Sequence, residues 1–426
     1  MDQSWLRKTR RWAPVFAAAA AVRVAYWVVV IPTWVPNADA DQYVQLGRGL
    51  ADGKGFSLVF PQMELHATAF RPPLYPALLA PTNLVFGNAL WPARLLSVLL
   101  GSLVVVLAGV LAARIGGRTA GYAAAAAVAL YPPLLANDTV TLTEPLALAL
   151  LLGLVLLADA ERWVPAGLLT GLFLLTRPNG YLVVLVVAFW AWRKVGTRAA
   201  LGAVAATLVV FVPWLVRNQV QVGTFRPTTS DGFTMAAIYA QPAQDAGTFI
   251  DPVFSHAYDD PDHRLAQFDE VVWNDRLTKD ALHGVKAHPD YVWRTVRRNF
   301  RGYFEISAEL NTYPEVNDGR DMALRDHVRP IFFAVTILGL VGLARSWRDR
   351  RVIALSVLVA SFVVLSLLLV APPRLRAPFD LACCIGLGLL VAAFLPDRWR
   401  LPELAPDATV DDPPVDEPAA GQPAPA

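Results

Sequence analysis

The residues of this chain best suited to chemistry are carboxylates and arginines set beside prolines. Asp39 and Tyr43 stand four apart in VPNADADQYVQLGRGLADGKGFS. A helix there puts Asp39, Tyr43, Leu46 and Leu50 on one face and turns Asp41 away. Asn37 or Asp39 could equally cap that helix, with Gly53 ending it. Arg71 opens RPPLYP, where two prolines stiffen the backbone behind the guanidinium. A fixed, planar guanidinium suits a phosphate, or it anchors a lipid headgroup. Asp138 and Glu144 lie in NDTVTLTEPL. An acid at membrane depth is costly and marks function, although Glu144 before Pro145 is also well placed to begin a helix. Arg177 in TRPNGY, Arg217 in PWLVRNQ, and Arg374 and Arg376 in PPRLRAPFD complete the set. Together they offer a proton acceptor for a hydroxyl nucleophile and cations for a phosphate leaving group.

Other chemistries are poorly represented. There is no GxSxG, P-loop, HExxH or Rossmann glycine pattern. His256 to His263 (HAYDDPDH) could be imagined as a metal site, but the spacing matches no standard ligand pattern. Cys383 and Cys384 are adjacent inside an apolar run, which disfavours a disulfide and suits small core residues. No basic patch points to nucleic acid, and the net charge is only +2.

The elements that must position these residues are membrane spans. Hydrophobic residues make up 55% of the chain and charged ones 17%, too few charges for a soluble domain of 426 residues. Apolar runs predict about ten spans, at 13–32, 92–113, 119–136, 144–160, 163–176, 180–193, 199–216, 329–345, 352–371 and 378–395. The first is basic at its start, like a signal peptide, but it is long, contains Arg23 and shows no clear cleavage site. Short connections rich in arginine alternate along the chain: 7–11, Arg114 with Arg118, Arg162, 193–198, 345–351, and Arg398 with Arg400. The positive-inside rule puts these, and both termini, in the cytoplasm. The motif residues then fall on the opposite side. Two outer loops result, 33–91 and 217–328, the second with helical spacing over 269–304 broken at Pro289. All six histidines lie in outer segments. Residues 1–395 are thus expected to form one transmembrane domain, and the Pro-, Ala- and Asp-rich stretch 396–426 a disordered cytoplasmic tail.

The order of these motifs resembles the polyprenol-dependent glycosyltransferases of the GT-C fold, within them the protein-mannosyltransferase-like (family 39) and aminoarabinose transferase branch. The resemblance rests on an apolar span, then DxxxY, GxGF, RPPLYP, TEPL, TRPNG and PWxxRN, across residues 13–395. It implies an all-α polytopic bundle with extracytoplasmic loop helices. It also implies an inverting enzyme that moves a sugar from a polyprenyl-phosphate carrier to an acceptor at the outer membrane surface. By that resemblance Asp39 is the catalytic acid of the first loop, with Tyr43 beside it, and Glu144 the acid of the second, with Asp138 nearby. Ala40 stands where many members carry a second acid, which leaves Asp41 without an assigned role. Arg374 falls in an RYxLP-like motif in which Leu375 replaces the usual Tyr. Arg71, Arg217, Arg374 and Arg376, with Tyr43 and Asp138, are the residues expected to bind the donor's phosphate or sugar. Some such enzymes use a divalent metal, for which the sequence names no ligands.

The alternative is a transporter or flippase of lipid-linked sugars, or a membrane assembly protein with the fold but no activity. The mid-span positions are almost wholly apolar, which disfavours transport. The expected partners are the lipid-linked donor, an acceptor the sequence does not name, and membrane lipids. If the reading holds, Asp39, Arg71 and Glu144 converge on one outer cavity.

Overall fold

The computed structural model describes residues 11–60, 64–178, 180–253, 269–307, 310 and 318–402. It is a polytopic all-α membrane fold whose one small sheet, among the described residues, is a two-stranded hairpin. In chain order the elements are α1 (Ala13–Val29), α2 (Ala38–Ala51), β1 (Ser57–Leu58), β2 (His66–Ala67), α3 (Leu74–Phe86), α4 (Trp91–Leu130), α5 (Pro132–Asn137) and α6 (Glu144–Asp159). There follow α7 (Trp163–Leu174), α8 (Leu182–Lys194), α9 (Thr197–Gln221), α10 (Asp231–Tyr239), α11 (Gln241–Ala246), α12 (Glu270–Ala287), α13 (Asp290–Tyr303), α14 (Met322–Arg345), α15 (Arg350–Leu368) and α16 (Ala377–Phe394). Each expected span coincides with a helix. Five helices are long and apolar enough to cross a membrane by themselves: α4, α9, α14, α15 and the segment Pro373–Phe394. By contrast α6, with 16 residues, is buried along most of its length and forms a central post rather than a lipid-facing helix.

The expected spans 92–113 and 119–136 are the two arms of α4. Gly117 has φ of +80°, which an L side chain rarely adopts, and Gly116 is also non-helical. The chain turns back there, so that Gly121 packs on Ala113 and Gly109 on Ala125. Pro289 separates α12 from α13, as the sequence predicts.

Close packing relies on small residues, as is usual where lipid removes the hydrophobic drive between helices. Gly339 and Gly342 of α14 face the backbone of Cys383 and Gly386 of α16, and Gly388 meets Ala120 and Ala124 of α4. Cys383 and Cys384 are free and buried in this core. The two ends of the bundle differ in charge pattern. At one end Asp159 pairs with Arg114 (3.1 Å), Arg351 (2.7 Å) and Arg350 (3.5 Å). Glu144 lies at the other end of α6, roughly 22 Å away at 1.5 Å per residue.

Past the expected boundary at 395, a short 3₁₀ turn (Asp397–Trp399) forms and Arg118 donates to the Pro402 carbonyl (2.7 Å). Residues 397–402 thus pack back against α4.

Candidate active site

Asp39 projects from the first turn of α2 and does not cap it. Its two carboxylate oxygens accept hydrogen bonds from Arg71 and from Arg374. The cap position belongs to Asn37, whose side chain makes no capping bond. Arg71 is oriented on its other side by Gln42, one turn along α2, which accepts from Nε at 2.6 Å. Tyr43 lies under the same guanidinium, 5.8 Å from ring centre to Cζ, and meets Tyr75 edge to face.

The backbone that presents Arg71 is fixed by Glu270, the first residue of α12. Its buried carboxylate accepts from Thr68 Oγ1 (2.6 Å), the Ala69 amide (3.0 Å) and Thr229 Oγ1, and it pairs with His66 Nε2 (3.0 Å). Thr229 N also donates to the Ala69 carbonyl at 3.1 Å. Phe70 packs beside this knot against Trp273, Leu277 and Ala236. The loop after α1 and the segment leading into α12 are thus one unit around residues 66–71, and His66 serves structure.

Glu144 begins α6, as a helix-starting acid should, and pairs with Arg177 at 2.5 Å. Arg374 joins the two halves. Its guanidinium touches Asp39, lies 4.0 Å from Glu144 and reaches Asp318 at 3.4 Å. A 3₁₀ turn (Pro373–Arg376) leading directly into α16 holds it there. Burial pushes the Asp39 carboxyl up, but Arg71 and Arg374 outweigh it and hold the group well below the usual carboxylate range. Asp39 keeps about a quarter of its side chain exposed (26%), so it remains reachable.

The other expected phosphate contacts sit elsewhere. Arg217 is a strut: it donates to the Thr68 carbonyl (2.6 Å) and the Phe56 carbonyl (2.8 Å), and stacks on Trp214. Arg376 is fully buried, donating to Asp380 (3.0 Å), Glu305 (2.8 Å) and the Tyr303 carbonyl (2.8 Å), with Phe332 across its face. Asp138 is closed into an ion pair with Arg23 of α1 (2.6 Å), against Gly101. The residues that sequence reasoning left out of the site are Arg177, noted only as a motif, and Gln42 and Asp318, which belong to no motif.

A separate shallow cleft, lined by Tyr26, Tyr131, Glu305, Arg320, Arg325 and Phe332, opens beside the Arg376 network rather than at Asp39. Among the described residues no three His, Cys, Asp or Glu side chains gather as metal ligands. Asp39, Glu144 and Asp318 each face guanidinium, an arrangement that does not fit a divalent cation. His256 to His263 lie outside the described residues.

Residues 70–216 match the family profile of dolichyl-phosphate-mannose-protein mannosyltransferases. The oligosaccharyltransferase AglB from Archaeoglobus fulgidus, in complex with an inhibitory peptide and a dolichol-phosphate, superposes with a TM-score of 0.50 and 15% identity. That match covers 91% of this chain and 50% of that one. The chain has the GT-C fold. A second structure of the A. fulgidus oligosaccharyltransferase, tethered with an acceptor peptide containing the NVT sequon, gives a TM-score of 0.51 at 14% identity, over 92% and 50% of the two chains. ArnT from Cupriavidus metallidurans, bound to undecaprenyl phosphate, matches at 15% identity and a TM-score of 0.41, over 90% and 78%. This GT-C chain spans about half the length of the archaeal structures it matches. No curated protein sequence matches it. The profile match begins at Phe70 and takes in Arg71, Asp138, Glu144 and Arg177, but stops short of Arg374.

Proposed function

We propose that this protein is an inverting glycosyltransferase that moves a sugar from a polyprenyl-phosphate carrier to an acceptor hydroxyl on the extracytoplasmic face. The observation that carries this reading is the Asp39 carboxylate between Arg71 and Arg374, with the Glu144–Arg177 pair alongside. The mannosyltransferase profile over 70–216 and the dolichol-phosphate bound by the archaeal neighbour support the donor class. The arginine-rich end at Asp159 supports a cytoplasmic placement of that face, with both termini, and an outer placement of Asp39.

The chemistry follows from the charges. The donor phosphate binds Arg71 and Arg374, which are held ready by Gln42 and by the 3₁₀ turn. As the phosphate engages these guanidiniums, Asp39 loses part of the stabilisation that kept its proton affinity low. It then becomes a better acceptor for the proton of the attacking hydroxyl. The new bond forms at the anomeric carbon as the bond to the phosphate oxygen breaks, and the electron pair leaves on the lipid phosphate. Arg71 and Arg374 stabilise that charge. Glu144, held by Arg177, is placed to accept hydrogen bonds from sugar hydroxyls. Asp138, Arg217 and Arg376 act on the site as positioning residues through the helices they tie together.

The test is direct. Membranes containing the protein, supplied with a panel of polyprenyl-phosphate-linked sugars, should consume at least one donor and release polyprenyl phosphate. If no donor is consumed with any hydroxyl acceptor supplied, the reading is wrong.

A further inference from the structure

The site described above contains three carboxylates, and one of them differs from the other two. Asp39 accepts from two arginines and Glu144 pairs with Arg177. Among the described residues, Asp318 has only the longer contact of Oδ1 with Arg374 Nη1, at 3.4 Å. Among the described residues its Oδ2 is buried without a hydrogen-bond partner; Glu144 Oε2 is too, but the other Glu144 oxygen holds Arg177 at 2.5 Å. The segment that delivers it is pinned. Gly319 sits at φ +77° with its backbone against Val140, and a Cβ there would strike that side chain. The charged groups facing Asp318 come from every neighbouring element: Arg374 from the 3₁₀ turn, Asp39 from α2, Glu144 from α6, and Arg320 from its own segment.

Charge balance then constrains how a phosphate can enter. Asp39, Glu144 and Asp318 are offset by Arg71, Arg177 and Arg374, while Arg320 is turned to Glu305 at 3.6 Å. A phosphodiester adds one negative charge to this buried cluster. An added charge without a partner is strongly disfavoured, and a neighbouring carboxylate takes a proton instead. Asp39 is held ionised between Arg71 and Arg374, and Glu144 makes a direct, short ion pair with Arg177. Asp318, with a free buried oxygen on the guanidinium that the phosphate would use, is the group left to change.

We propose that Asp318 takes up a proton as the lipid-linked phosphodiester binds, and that its protonated Oδ2 donates a hydrogen bond to a phosphate oxygen. This rests on the transferase reading above and adds to it a proton-coupled donor site. Burial pushes the Asp318 carboxyl up, Arg374 pulls it down, and Glu144 and Asp39 push it up again, to about 7. The proton is therefore available near neutral pH, and a bound phosphate holds it more tightly.

The experiment uses the full-length protein in detergent and a farnesyl methyl phosphodiester as probe. That probe carries one fixed charge, whereas a monoester would titrate near pH 6 itself. Affinity is measured by calorimetry from pH 5.5 to 8.5. The wild type should bind tightly at low pH and lose affinity above 7, approaching about tenfold per pH unit. Asp318→Asn keeps the shape and the donor without the charge, so it should bind tightly at every pH. Calorimetry of the wild type at pH 7.5 in two buffers of different ionisation enthalpy should show net proton uptake, which tests the idea even if the variant folds poorly. A flat wild-type profile, no proton uptake, or a folded Asn variant that binds at no pH would each overturn the proposal and leave the transferase reading standing. A wild type that binds no phosphodiester at any pH would sink the lipid-phosphate reading and this inference with it.

Discussion

The guanidinium of Arg374 meets the carboxylate of Asp39 across 335 residues of chain. Asp39 leaves the cap of α2 to Asn37, and Arg374 precedes α16 on a turn stiffened by Pro372 and Pro373. The contact closes a ring of first loop, second loop and last span, so the site exists only when the whole bundle has folded.

Asp39→Asn should lower the rate of transfer by about 10²- to 10⁴-fold, the range for loss of a positioned general base. Donor binding should survive, because the amide no longer competes as an anion for Arg71 and Arg374. A steady-state series should therefore show kcat falling while the donor KM holds or drops. The same geometry fixes a sign with pH. Since the Asp39 carboxyl is depressed, its contribution to folding stability is present above the unfolded carboxylate value and is lost only as pH falls through the lower, folded value. An acid limb of activity near pH 5 would then have to come from another group. A variant with unchanged kcat would remove Asp39 from the chemistry.

Arg374→Lys should cost on the order of 10²-fold in transfer, comparable to losing one preorganised donor at a charged transition state. One ammonium cannot reproduce a planar fork that touches Asp39 while facing Asp318 at 3.4 Å and Glu144 at 4.0 Å. Arg217→Lys offers the contrast. That side chain braces two loop carbonyls and a tryptophan, so its loss should show first as a lower melting temperature. Side-by-side activity and melting curves of the two variants separate the roles.

Arg376→Met should destabilise the protein by about 3–5 kcal/mol, because it strands buried charge rather than removing a pair. Asp380 and Glu305 both rely on that guanidinium. Adding Asp380→Asn should recover part of the loss. Thermal unfolding in detergent checks this, and an additive or worse double variant would count against it.

The fold was largely legible before any coordinates. Long apolar runs locate the ten expected spans, because lipid demands length, but they miss the shorter helices α3, α10 and α11. The reversal at Gly116–Gly117 is legible as the gap between two expected spans, since a glycine at φ +80° breaks the helix there. The site was only partly legible. Asp39, Arg71, Glu144 and Arg374 stand in motifs with prolines, and the fold brings them together. Arg217 and Arg376 stand in equally suggestive motifs, yet serve as a strut and as a buried clamp. Sequence shows that an arginine is fixed, but not whether its partner is a ligand or a backbone carbonyl. Asp138 was drawn in by its nearness to Glu144, and its true partner, Arg23, lies 115 residues away. Asp318 had no signal at all, since its importance comes from which residues surround it.

The last expectation concerns how the bundle holds the site. Gly342 of α14 lies so close to α16 that a Cβ built on it would stand 1.8 Å from the Gly386 carbonyl oxygen, and one on Gly339 2.3 Å from that of Cys383. These are backbone atoms that no rotamer change can move. Gly342→Ala must therefore separate the two helices, at a cost of at least about 1–3 kcal/mol, the usual penalty for overpacking a tight core. The effect should reach the chemistry, because α16 is the continuation of the turn that carries Arg374. A shift at this crossing moves that guanidinium relative to Asp39 and Glu144. Gly202→Ala is the matched control: its Cβ would meet only Val164, at 3.7 Å, an ordinary contact. Melting temperature and donor turnover should both fall for the first variant and hold for the second. Equal behaviour of the two would show that the crossing of α14 and α16 does not set the geometry of the site.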